Sequence, residues 1–74
     1  MIYTRHARRR MIRRNIAEAD VEAVMAKPKK VALAERGALN YWGYGQSGYR
    51  IRITVANRII LTVAWADARK RNIR

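Results

Sequence analysis

The chain has 74 residues, with 17 Lys and Arg against 5 Asp and Glu, for a formal net charge of +12. A chain this short closes one core and buries only about 60% of the surface its unfolded form exposes, which excludes a separate cofactor domain. With no cysteine and a single histidine, disulfides and thiolate zinc sites are excluded, and no metal or cofactor is expected.

The charge is uneven along the chain. Residues 1–14 hold six Arg and no acid, 15–35 are close to neutral, and positive charge returns over 36–66 and 67–74. Such a field suits a polyphosphate ligand, so nucleic acid is the expected partner. No amphipathic helix with bulky apolar residues is present to favour a membrane surface, and the chain start shows no apolar leader. The longest mostly apolar run, 59–66, is far too short to span a bilayer. The expectation is one cytoplasmic domain over 1–74 whose last residues, 67–74, form a basic tail.

In chain order, good helix formers predict helices over 5–15 and 17–26, the second stopped by Pro28. Asn15 with Glu18 three positions on reads as a capping-box pair for the second helix. After Pro28 the pattern changes to strands, expected over 31–35, 39–44, 49–55 and 59–65. The breaks fall at Arg36-Gly37 and in the glycine-containing stretch 43–48. The outline is α+β, with two N-terminal helices packed on one face of a small antiparallel sheet.

Alternation sets the expected register of the last hairpin. A two-residue loop, Asn57-Arg58, would set Val55 against Ile60 and mix Arg52 with aliphatic residues. A three-residue loop, 56–58, pairs Val55 with Ile59, Ile53 with Leu61, Ile51 with Val63 and Tyr49 with Trp65, and is the expected one. The opposite face then carries Arg50, Arg52, Thr54, Thr62 and Ala64, with Ile60 as an exception. In the first helix, His6, Arg9, Arg10 and Arg13 share one arc at about 100° per residue, opposite Ala7 and Met11. In the second, Ala17, Val21, Val24 and Met25 form the core stripe.

The string His6-Ala7-Arg8-Arg9-Arg10-Met11, then Arg14-Asn15-Ile16, then Asp20-Val21-Glu22 with Pro28 beyond, resembles the opening of the DUF4258 family. Gly48-Tyr49-Arg50-Ile51-Arg52-Ile53 and Leu61-Thr62-Val63 resemble its later strands, while Ala17 stands where that family usually has a Ser cap. The family is similar in outline to the RelE, ParE and BrnT toxins. The resemblance therefore implies a RelE-like architecture and a metal-independent endoribonuclease, silenced by an acidic antitoxin protein.

Such cleavage proceeds by attack of the ribose 2′-hydroxyl on phosphorus and needs a proton acceptor, a proton donor and positive charge. On that reading the catalytic residues are His6, as acceptor or donor, and Arg50 and Arg52, whose planar guanidinium groups hold phosphoryl oxygens. Arg9, Arg10, Arg13, Tyr44, Lys70 and Arg71 are the expected nucleic-acid-binding residues, with Tyr44 stacking on a base. Two alternatives stand beside this reading: a non-catalytic basic nucleic-acid-binding module, and a ParE-like inhibitor that binds a protein target such as gyrase.

Overall fold

The computed structural model describes the backbone of residues 1–46 and 48–70 and the side chains of 1–46 and 48–66. Strand β1 (Ile2–Tyr3) leads into helices α1 (Arg5–Arg14) and α2 (Glu18–Ala26). Strand β2 (Lys30–Leu33), a 3-10 turn (Glu35–Gly37), and strands β3 (Leu39–Tyr44), β4 (Tyr49–Ala56) and β5 (Ile59–Lys70) complete the fold. The five-stranded sheet runs β1-β5-β4-β3-β2. Strands β2 to β5 form the expected antiparallel meander, but β1 adds in parallel to β5, so the sheet is mixed rather than antiparallel throughout. Two residues carry no readable period, which is why β1 has no sequence signature.

Thr4 joins β1 to α1. Its hydroxyl oxygen accepts from the Ala7 N–H at 2.9 Å, capping the helix, and the same hydroxyl donates to the Leu61 carbonyl of β5 at 3.1 Å. At the other end of α1, Arg14 donates to the Val63 carbonyl at 3.4 Å. Between them these side chains occupy carbonyls of β5 beyond the short reach of β1, where an open edge would otherwise invite pairing with another chain.

Asn15 has a different role from the one expected. It ends α1 in the left-handed region, at φ 57°, where asparagine is one of the few tolerant residues. Helix α2 begins at Ala17, which has no side-chain acceptor, and Asp20 supplies the missing partner: its carboxylate accepts from the Ala17 N–H at 3.1 Å. The capping-box partner is therefore Asp20, not Glu18. Glu18 instead pairs with Arg8 across the two helices.

Both helices bury their apolar stripes on one side of the sheet. Ala7 and Met11 of α1, Ile16 of the junction, and Val21 and Val24 of α2 meet Ile51, Ile53, Val55, Ile60 and Val63 in a single core, with Met25 packed at its margin. Fully burying each aliphatic side chain contributes about 1.5–3 kcal/mol, and Ile53→Ala would cost about 2–5 kcal/mol because the cavity adds to the lost transfer energy. Gly43 lets α2 approach β3, since a Cβ there would lie 3.1 Å from Val24 Cγ1.

The β4–β5 hairpin corrects the expected register. Its turn has two residues, Asn57 and Arg58, with φ 51° and 66°, and pairs Ala56 with Ile59 and Val55 with Ile60. Positive φ at both central positions is what a type I′ turn requires, and its twist matches the flanking strands. The charge mixing that argued against this loop is avoided by a bulge. Val55 faces Ile60 and Thr54 faces Thr62, leaving Leu61 without an opposite residue. After that one-residue shift Val63 and Trp65 return to the core side, opposite Ile53 and Ile51. Ile60, expected as the exception on the polar face, is fully buried. Strand β5 also continues to Lys70, so the backbone of 67–70, expected as the start of a tail, is strand.

Among the described residues no helix is long and apolar enough to cross a membrane.

Candidate nucleic-acid interface

Alternation along each strand determines which side chains lie opposite the helices. In β4 the core takes Ile51, Ile53 and Val55, so Arg50, Arg52 and Thr54 face the other way. Pairing carries this outward face across the sheet. Arg50 lies opposite Tyr44, Arg52 opposite Trp42 and Thr54 opposite Asn40, and Trp42 in turn lies opposite Lys30. The Lys30 Nζ sits 4.7 Å from the centre of the Trp42 ring, a cation–π distance. The Thr54 hydroxyl donates to Asn40 Oδ1 at 2.6 Å, tying β4 to β3 on this face. A groove continues past Arg52 to Arg36, lined also by Glu35, Asn40, Thr54, Leu61 and Thr62. Arg36 is carried there by the 3-10 turn, at φ 59°.

A second basic surface lies on α1. His6, Arg9, Arg10 and Arg13 line one pocket, as their shared arc predicts. His6 Nε2 accepts from Arg10 Nε at 3.4 Å, one helical turn away. Helix α1 packs on the core side of the sheet and turns this arc away from the core, whereas Arg50 and Arg52 lie on the far side.

The expected site residues therefore separate into two groups. Arg9, Arg10 and Arg13 gather around His6, and Tyr44 shares the outer sheet face with Arg50 and Arg52. The expected convergence of His6 with Arg50 and Arg52 does not occur, because the sheet and the core lie between them. Lys70 is in β5, its backbone opposite Tyr49, but its side chain lies outside the described residues, as does Arg71. Trp42, Lys30 and Arg36 were not among the expected residues. Trp42 has the same strand parity as Tyr44, which is the signal that could have found it.

The other aromatic residues have structural places. Tyr41 and Trp65 pack against the core, and Tyr49 meets Trp65 edge-on with ring centres 5.4 Å apart. The Tyr3 phenol, with the Arg8 guanidinium 4.5 Å from its ring centre, is raised above its ordinary pKa chiefly by burial and further by Glu18 and Glu22, with Arg8 opposing. Among the described residues no three His, Asp or Glu side chains gather to form a metal-binding set.

Residues 3–73 match the family model described as Domain of unknown function (DUF4258). The chain belongs to the DUF4258 family. No curated protein and no solved structure matches it. In this DUF4258 chain the string that carries the family likeness is in large part a device for seating α1. Ala7, Met11 and Ile16 are buried, Asn15 makes the left-handed exit, and Arg14 ties the helix to β5. His6, Arg9 and Arg10 are the members of the string that line the exposed-face pocket.

Proposed function

We propose that this DUF4258 chain binds single-stranded RNA on the sheet face opposite its helices. The observation that carries the reading is Trp42, a half-buried indole on the outward face with the Lys30 ammonium over its ring and Arg52 as its neighbour across β4. A flat ring stacks on any base, contributing about 1–3 kcal/mol per base, and cations beside it neutralise the phosphates that accompany that base. Tyr44 and Arg50 extend the same arrangement one pleat along, and Arg36 extends it past Arg52. The net charge of +12 supports both the RNA ligand and an acidic protein partner that competes for it. A cytoplasmic location goes with this reading.

The test is anisotropy of a labelled ten-nucleotide uridine strand titrated with protein in a chelating buffer, followed by a gel of the same samples. Saturable binding with the strand left intact is expected. Affinity indifferent to salt and to the Trp42 ring would overturn the reading.

A toxin-like endoribonuclease is the second reading, favoured by one observation: His6, the chain's single histidine, lies in a pocket with three arginines. A proton-transferring group beside positive charge is what metal-independent phosphodiester cleavage uses. On this reading the reaction belongs to the helix face, with Arg10 rather than Arg50 and Arg52 beside the phosphate.

A further inference from the structure

The α1 pocket differs chemically from the sheet face. His6, Arg9, Arg10 and Arg13 line it, with no indole, phenol or carboxylate among them. The nearby Arg8 is engaged elsewhere, on Glu18 and on the Tyr3 ring. His6 accepts from Arg10, which holds the imidazole beside that guanidinium and leaves Arg9 and Arg13, one turn apart and both exposed, directed at solvent. Such a surface lacks the broad indole platform of the sheet face and is dominated by guanidinium groups that bind phosphate, the contact that gives affinity without reading sequence.

We infer that the α1 pocket is a second nucleic-acid site, specific for backbone phosphate, and that the domain bridges two nucleic-acid segments. The sheet face holds one segment by its bases and α1 holds the other by its phosphates. The sheet and the core separate the two surfaces, so a strand of about four nucleotides lying on Trp42 does not reach Arg9. The two sites are therefore filled by separate strands, or by two distant parts of one long strand. The identity of the ligand rests on the reading of the sheet face given above; the existence of a separate anion site rests on the α1 geometry alone.

The experiment mixes donor-labelled and acceptor-labelled uridine strands of about four nucleotides with the full chain, reading energy transfer between strands alongside tryptophan quenching, the latter assigned by its loss in Trp42→Phe. Native mass spectrometry counts strands per chain. The wild-type chain is expected to carry two strands per chain and to give energy transfer. Arg9→Ala/Arg13→Ala is expected to lower the transfer at least fivefold, to leave one strand per chain and to keep the quenching within twofold. Arg9→Lys/Arg13→Lys should restore most of the transfer. Both positions are exposed, and unchanged thermal melting verifies that the variants fold. One strand per wild-type chain, or transfer that persists in the alanine variant, overturns the inference. Absence of quenching, with transfer still lost in the alanine variant, overturns the sheet-face reading and supports the α1 site.

Discussion

The ammonium of Lys30 lies 4.7 Å from the centre of the Trp42 ring, and the strand pairing that brings them together also sets Arg52 opposite Trp42 on the other side. An aromatic residue between two cations on an outward face does not contribute to the core, which is filled from the other face. Removing the ring should therefore change binding and leave the fold intact. Trp42→Ala is expected to weaken uridine-strand binding about 5- to 150-fold, the equivalent of one lost base stack, while Trp42→Phe retains most of the affinity. Melting temperatures measured beside the titrations should be nearly equal for the parent and both variants. A large loss of melting temperature in Trp42→Ala would mean that the ring is structural.

Arg52 is exposed on this face, and among the described residues it makes no ion pair. If it neutralises one phosphate, Arg52→Ala removes one released counterion from the equilibrium. The slope of log affinity against log salt should become shallower by about 0.7, the single-strand value per phosphate. Titrations at four or five salt concentrations measure it. An unchanged slope would remove Arg52 from the interface even if affinity fell.

Cleavage separates the two readings of function. The binding reading expects the uridine strand to remain full length over hours in chelator. The ribonuclease reading expects fragments with 2′,3′-cyclic phosphate ends, abolished by His6→Ala and little affected by Arg52→Ala, because His6 lies in the α1 pocket and Arg52 lies on the sheet face. Mapping the product ends, with both variants purified in parallel, decides between them.

The order of the elements was legible because the helices and strands have clear periods, and β3 occupies 39–44 as expected. The hairpin register was not, because two local features compensate. A two-residue turn shifts parity, a bulge at Leu61 shifts it back, and leucine at a bulge looks like any other core residue. Asn15 fits two roles equally well in sequence, and the left-handed exit from α1 took precedence over capping α2. The separation of His6 from Arg52 was already contained in the two periodicities. His6 lies opposite the buried side of α1, and Arg52 lies opposite the strand face that meets the helices. The Lys30–Trp42 pair was not legible, since it depends on the β2–β3 register and the spacing of two short strands leaves that open.

Tyr3 gives a pH dependence with a definite sign. Burial and the neighbouring Glu18 and Glu22 raise its pKa above the ordinary 10.0, with Arg8 opposing. The folded state therefore holds the phenolic proton more tightly than the unfolded chain does. This contribution to stability is fully present below pH 10 and is lost as pH rises through the raised value. In a spectrophotometric tyrosine titration one phenol should ionise late, and Tyr3→Phe should remove that late phase. A titration unchanged by Tyr3→Phe would place the late ionisation elsewhere.

Gly45 is fixed by the residue that caps α2. A Cβ at this position would lie 2.7 Å from Asp20 Oδ1, 2.8 Å from its Cβ and 2.9 Å from its Cγ, closer than real contacts allow. Asp20 has little room to retreat, being 8% exposed and accepting from the Ala17 N–H. Asp20→Ala loses the cap, a cost of about 1 kcal/mol. Gly45→Ala must displace Asp20, and should cost about 1–3 kcal/mol. For a domain of this size each kcal/mol lowers the melting temperature by about 4–8 °C, so calorimetry resolves the two variants. The double variant should be less damaging than the sum of the singles, because the cap that Gly45→Ala disrupts is already gone. Strict additivity would mean that Gly45 and Asp20 do not meet.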